Sequence, residues 1–290
     1  MGKRITRRDF LKLLWIGFID SFLLATGGTG YGLLVEPSLF KVENIRLQLN
    51  RLPKALSGLR VAQISDIHMG GWMDRERFQE VADIVTAQKP DIVLITGDFL
   101  IGHYYNKHST GALDDLVAVL SPLAKSIPSF AVLGNHDYWT NADAVRQMLA
   151  SSGIMDLTNA VFTFRRNGAR LHFCGVDDVW EGTPRLGLIA SQLPDGDAAI
   201  LLAHEPDFAD KSARTGKFDL QLSGHSHGGQ VVLPFFGPPI LPHLGWKYPN
   251  GLYQVGNMYQ YTNRGVGMAK LPIRLNCPPE ITIFQLDSVS

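Results

Sequence analysis

The run Asp91-Ile-Val-Leu-Ile-Thr96 limits what this chain can fold into more than any other stretch. It is rich in β-branched residues and has no polar alternation, the pattern of a strand buried on both faces. Leu59 to Ser65 is a second such strand. Between the two, residues 74–89 set Phe78, Val81, Ile84 and Val85 at helical spacing and stop at Lys89-Pro90. Strand, helix and strand within so short a length predict a right-handed crossover between parallel strands. The fold is therefore expected to be α/β.

The pattern repeats with a helix over Leu113 to Lys125, a strand over Ser129 to Leu133 and a helix over Ala142 to Ser152. Arg165-Arg166-Asn167-Gly168 predicts a hairpin turn before a strand at 171–176. Further strands are expected at 198–203, 218–222 and 230–233, then at 251–255, 258–262 and 281–285 after a loop rich in Pro, Gly and aromatics. These elements are expected to form a central mixed β-sheet, or two packed mixed β-sheets, with helices outside.

Charge and composition narrow the function. Lys and Arg number 27 against 27 Asp and Glu, and 45% of residues are hydrophobic, which excludes a disordered chain and a globally basic surface, so no nucleic-acid partner is expected. The two cysteines, Cys174 and Cys277, have no CxxC spacing and are either one disulfide or two inert thiols.

Residues 1–35 read as an address. Lys3, Arg4, Arg7, Arg8 and Lys12 precede an apolar run, Leu13 to Val35, whose one charge is Asp20. Thr6 to Lys12 resembles a twin-arginine export signal, which implies the twin-arginine translocase as a partner and a bacterial, exported protein. An ordinary helix with basic flanks is the plainer alternative. No Ala-x-Ala cleavage site follows, and the run is near the roughly 20 residues of a spanning helix, which favours an uncleaved membrane anchor with the rest of the chain outside the cytoplasm. Residues 36–58 form a linker with a leading strand (Ile45, Leu47, Leu49), and residues 59–290 one catalytic domain.

Metal-ligand side chains follow the predicted strands: Asp66 and His68 after the first, Asp98 after the second, and Asn135, His136 and Asp137 after the third. His204 follows residues 198–203, and His225 and His227 follow 218–222. Side chains two apart on an extended backbone share a face, so Asp66 and His68 can grip one ion. Loops at strand carboxyl ends line the active site of an open α/β sheet, so these five loops are expected to converge. Nitrogen and oxygen donors without sulfur suit Mn²⁺, Zn²⁺ or Fe²⁺.

Asp-x-His, Gly-Asp, Gly-Asn-His-Asp, a lone His and Gly-His-Ser-His, in that order, resemble the calcineurin-like metallophosphoesterase superfamily. Gly228 to Val231 and Arg264 to Gly267 further resemble its exported bacterial phosphodiesterase branch, which includes relatives that act on UDP-2,3-diacylglucosamine. The resemblance implies a four-layer αββα sandwich with two divalent metal ions at the strand C-terminal ends. Asp66, His68 and His227 would hold the first, Asn135, His204 and His225 the second, and Asp98 would bridge them. His136 would stay off the metals and donate to a phosphate oxygen or leaving group, oriented by Asp137. Paired cations roughly 3.5–4 Å apart activate a water and clamp phosphoryl oxygens. Ile101 stands where purple acid phosphatases carry an iron-binding Tyr, so no purple chromophore is expected.

The implied activity is metal-dependent hydrolysis of a phosphate ester, as a phosphodiesterase or a phosphatase, with the diesterase favoured. A UDP-2,3-diacylglucosamine-type pyrophosphatase is an alternative, and a catalytically silent binding scaffold another, although no ligand position is lost. Arg264 is either a substrate phosphate contact or a core ion pair. Trp72, Met73, Phe99, Leu100, Ile101, Tyr138, Trp139 and the 234–246 loop surround the ligand loops. They either receive a lipid-linked substrate or simply pack.

Overall fold

The computed structural model describes residues 28–102, 107–269 and 271–289. The first sheet is built from β1 (Lys41–Leu49), β2 (Leu59–Ile64), β3 (Ile92–Thr96), β4 (Ser129–Val132) and β5 (Met155–Asp156). The second takes β6 (Ala160–Arg166), β7 (Ala169–Gly175), β8 (Ala198–Leu202), β9 (Leu220–Ser223), β10 (Gly251–Val255) and β11 (Met258–Thr262), and β12 (Glu280–Ser288) returns to the first. Strand order is β1-β12-β2-β3-β4-β5 in one and β10-β11-β9-β8-β7-β6 in the other. β2 to β5 run parallel, as do β7, β8, β9 and β11, so their carboxyl ends open on one edge.

Alternation along the central strands shows why two sheets stack. Ile92 and Leu94 of β3 join the core between the sheets, while Val93 and Ile95 join the core under the helices. In β8, Ala198, Ile200 and Leu202 face the first sheet, and Ala199 and Leu201 face outward into a third core. Burying a Leu or Ile stabilises by roughly 1.5–3 kcal/mol, so both faces must be covered. Helices α1 (Arg75–Ala87), α2 (Lys107–Ser126), α3 (Asn135–Thr140) and α4 (Ala142–Ser152) lie on the first-sheet side, and α5 (Leu186–Gln192) and α6 (Ala209–Ala213) on the other. The result is the expected αββα sandwich.

Local chemistry sets the boundaries. Asp74 caps α1 by accepting from Arg77 N at 2.9 Å, and Asn141 caps α4 through Ala144 N at 3.0 Å. The hairpin turn holds Asn167 and Gly168 at φ 53° and 77°, as a type I′ turn requires. β1 pairs in parallel with β12 from Lys41↔Glu280 to Leu49↔Ser288 and forms the sheet edge.

Two local expectations are corrected. Residues 230–233 form no strand, only isolated bridges from Val231 to Leu275 and from Leu233 to Gly237. Gln230 sits at φ 58°, outside strand geometry, and Pro234 has no N–H to extend a ladder. The residues after β4 enter a short helix, α3, at once. Cys174 and Cys277 are free and buried, so the thiol reading holds over the disulfide. Most of the segment read as signal or anchor lies outside the described residues; residues 28–34 are a helical turn. Among the described residues no helix is long and apolar enough to cross a membrane.

Candidate metal centre

All five ligand loops meet at the open edge. Asp66 N donates to Gly97 O and His68 N to Asp98 O, each at 3.0 Å, so the first and second loops run as one ladder past the sheet. His136 N donates to Asp98 Oδ1 at 2.9 Å, which adds the third loop. Gly224 N reaches His204 O at 3.0 Å, and His225 N reaches both oxygens of Asp66 at 3.0 Å. Asp66, His68, Asp98, His225 and His227 all adopt positive φ, from 51° to 68°. Left-handed backbone costs a residue with a Cβ roughly 1–2 kcal/mol, and such strain collects where side chains must be aimed.

Asp66, His68 and His227 offer ligand atoms within 4.8 Å of one another, and so do Asp98, His204 and His225. A third set, His68, Asp98 and His136, links the two. Every one of these side chains is buried. Glycines make the approach possible: a Cβ on Gly134 would come 2.3 Å from Asp98 Oδ1, and one on Gly224 would come 1.9 Å from Ser65 Oγ and 2.2 Å from Asp66 Oδ2.

The donor set fits divalent cations. His204 Nδ1 lies 2.6 Å from Thr96 O, His225 Nε2 lies 2.7 Å from His243 O, and His68 Nδ1 lies 3.4 Å from Leu100 O. Each carbonyl takes one ring N–H and turns the other nitrogen toward the cluster, as metal-binding imidazoles require. Asn135 Oδ1 and His204 Nε2 have no hydrogen-bond partner; His204 Nε2 is 3.2 Å from Asp98 Oδ2 but out of alignment with it. An unpaired buried polar atom costs about 1–3 kcal/mol, which ligation by a cation would offset.

Charge within the cluster is divided: the desolvation of His204 is outweighed by Asp98 and Asp66, which raise its pKa well above the ordinary value. Burial, reinforced by Asp98, pushes Asp66 up to about 7. Asp98 is held well below the usual carboxylate range, because His204 and His136 outweigh its desolvation. Burial pushes His68 down to about 3 and His225 to about 4. The lowered rings of His68 and His225 are in the neutral form that ligates metal, whereas Asp66 and His204 would give up a proton as a cation binds.

His136 stands at the rim of the cluster, its ring 4.7 Å edge-on from that of His68. The contact expected from Asp137 is corrected. His136 Nδ1 lies 3.2 Å from Ile101 O, whereas Asp137 accepts from Phe99 N at 2.8 Å, Leu100 N at 3.2 Å and Gly134 N at 3.0 Å. Consecutive residues of a helix do not face each other. As the third residue of α3, Asp137 reaches back to the cap and buckles the second loop to the third. Arg264 donates to Glu43 Oε1 at 2.9 Å, and its Nε lies 2.6 Å from Glu280 Oε2. Of its two open roles, the core ion pair is the one present.

The flanking apolar residues divide. Met73, Phe99 and Leu100 are core, with Trp72 and Tyr138 packed against it, whereas Phe235, Phe236, Ile240 and Trp246 are exposed. One contributor had no signal in the sequence. Trp180 lies 5.3 Å from Trp139, 5.4 Å from His243 and 6.0 Å from His225, each edge-on. Glu205, next to His204, fixes its loop by accepting from Val179 N at 3.0 Å and Trp180 N at 3.3 Å. Burial, with the nearby Glu205 charge, pushes Asp178 of the same loop up to about 9.

Comparison with known proteins agrees with the geometry. Residues 59–229 match the family profile described as calcineurin-like phosphoesterase. The chain is 33% identical over 290 residues to the uncharacterized metallophosphoesterase YkuE of Bacillus subtilis, across 99% of this chain and 100% of that one. It is 30% identical over 286 residues to the phosphodiesterase YaeI of Escherichia coli, across 97% and 99% of the two chains. Among solved structures it is similar to the NAD nucleotidase of Haemophilus influenzae, with TM-score 0.48 and 16% identity, over 72% of this chain and 45% of that one.

Proposed function

The chain belongs to the calcineurin-like phosphoesterase family, is a metal-dependent phosphoric ester hydrolase, and from that premise we propose that it cleaves phosphodiesters, lipid-linked ones among them, outside the cytoplasm. The observation that carries this reading is the convergence of the ligand sets on one buried point, with His136 beside it. Asp66, His68 and His227 would hold one cation, Asn135, His204 and His225 the other, and Asp98, within reach of both His68 and His204, would serve both. Two ions of the Mn²⁺, Zn²⁺ or Fe²⁺ type would supply Lewis acidity to the phosphoryl group and lower the pKa of water there.

The remaining work falls to the chain itself. The carbonyl of Ile101 accepts from His136 Nδ1–H, so a second proton on this ring sits on Nε2. In the imidazolium form that nitrogen donates to a phosphate oxygen or to the departing alkoxide. Asp137 keeps the second and third loops in register. Trp139 and Trp180, whose rings pack against His136 and His225, favour a substrate with an apolar or aromatic arm. YaeI, described as a phosphodiesterase, supports the diester preference. The Arg-Arg-Asp-Phe-Leu-Lys run and the apolar segment after it support export through the twin-arginine translocase and retention at the membrane.

A panel of aryl monoesters, aryl diesters and nucleotide-linked lipids tests the reading with Mn²⁺-loaded protein. Diesters should turn over faster than monoesters. Serine at Phe235 and Phe236 should weaken turnover of lipid substrates more than that of a small chromogenic ester; equal losses would remove the lipid arm, and preferred cleavage of a diphosphate would point to a pyrophosphatase instead.

A further inference from the structure

Three segments distant in sequence join into one uncharged face beside the metal centre. Arg274 N donates to Gly32 O and Asn276 N to Glu36 Oε2, both at 2.9 Å, which ties residues 28–36 to the strap at 271–277. Val232 N donates to Leu275 O and Leu275 N to Gln230 O, both at 2.8 Å, which ties that strap to the loop beginning at residue 230. That loop continues directly from His227. Residues 28–35, 231–246 and 271–273 contain no Asp, Glu, Lys or Arg.

This face is apolar and turned outward. Leu34 is 81% exposed, Leu271 67%, Ile240 75%, Phe236 88% and Phe235 104%. Single exposed apolar residues are ordinary, but a set on hydrogen-bonded neighbouring segments marks an interaction surface. The sequence decides what lies against it. The apolar run from Leu13 to Val35 ends within this face, and its last residues, 28–35, are fixed to the strap. Chain that enters a bilayer through this run must leave the domain here, so the bilayer lies against the same surface.

We propose that this face docks on the lipid bilayer, with Phe235 and Phe236 inserted in the interfacial zone and Trp246 at headgroup level. The inference rests on the anchored reading of the N-terminal run and deepens the lipid-linked substrate reading. This loop, which continues from His227, would when held in the membrane bring the fifth ligand loop to the phosphate layer, so that a lipid phosphodiester reaches the metal centre without leaving the bilayer.

The test uses the full-length chain carrying Phe236→Cys, labelled with a polarity-sensitive thiol dye. Cys174 and Cys277 are 0% and 1% exposed, so the dye goes to position 236. The protein is reconstituted in phosphatidylcholine and phosphatidylglycerol vesicles, and flotation reports anchoring. The expected result is a blue shift, with quenching by lipids carrying a nitroxide near the headgroup. The same dye at Asp195→Cys should stay water-like, since the Asp195 side chain is 96% exposed and precedes β8 at the end opposite His204. A water-like signal from position 236 in protein that floats overturns docking and leaves the anchor standing. Failure to float overturns both. A blue shift that appears without vesicles, rises with protein concentration and escapes lipid quenching assigns the face to a second copy of the chain and overturns the proposal.

Discussion

His68 Nε2 lies 2.9 Å from His227 Nε2, and the two rings stack at 19°. Burial is the largest cause of the drop in both rings' pKa, with His68 down at about 3 and His227 well below its ordinary value. Asp66 Oδ1 completes the triangle, 3.3 Å from His227 Nε2 and 4.0 Å from His68 Nε2. Two neutral imidazoles meeting nitrogen to nitrogen share one hydrogen bond at best, whereas a cation satisfies both. Chelation is therefore expected to abolish activity and lower Tm, and Mn²⁺ or Zn²⁺ should restore both. At a hundredfold excess of metal over Kd the stabilisation is about 2.7 kcal/mol. Thermal denaturation of chelated and reloaded protein checks this, and equal Tm values would contradict it.

Gly224 tests the crowding of that triangle without replacing a ligand. A methyl there would meet Ser65 Oγ and Asp66 Oδ2, so Gly224→Ala should displace the Asp66 carboxylate. Loss of a residue that supports a ligand typically costs roughly 10–100-fold in metal affinity or activity. Metal titration by calorimetry should read a loss of that order in a protein with an unchanged far-UV spectrum, and wild-type affinity would show that Asp66 tolerates the shift.

His136→Ala should leave metal content unchanged and reduce kcat by ~10²–10³, the usual worth of one donor to developing charge. Its ring is aimed by the Ile101 carbonyl, so Asp137→Asn should act differently. Its two oxygens accept from Phe99 N and Leu100 N on one side and Gly134 N on the other, and an amide nitrogen accepts from none of them, so the variant should lower Tm along with kcat. Steady-state kinetics beside thermal melts separate the two variants.

Trp180 is predicted to select substrate. It stands 39% exposed beside Trp139, His225 and His243, where a flat or apolar leaving group would meet it. An aromatic contact is worth about 0.5–1.5 kcal/mol, so Trp180→Ala should raise KM for aryl diesters roughly 2- to 10-fold with kcat largely kept, and Trp180→Phe should recover most of it. A fall in kcat alone would assign Trp180 a different role.

The parts legible in the sequence are those in which residue type and local spacing suffice. Asp66, Asp98, Asn135, His204 and His225 each follow an apolar run, and a run that ends in a ligand needs no third dimension to be noticed. Asp137 was misjudged because adjacency in sequence suggested contact with His136, while the helix that begins at Asn135 turns the two apart. Trp180 and Glu205 were invisible because their relation spans 25 residues and depends on β7 and β8 lying side by side. Residues 230–233 looked like a strand by composition, but the positive φ at Gln230 and the pairing with residue 275 are tertiary facts.

Asp98 joins the two halves of the centre, since its Oδ2 lies 3.6 Å from His68 Nε2 and 3.2 Å from His204 Nε2. Elemental analysis of Mn²⁺-reconstituted protein, wild type beside Asp98→Ala, is the most direct test of a paired-cation centre. Two ions per chain in the wild type and a clear fall in the variant are predicted. A single ion in the wild type, or an unchanged count in Asp98→Ala, would contradict it.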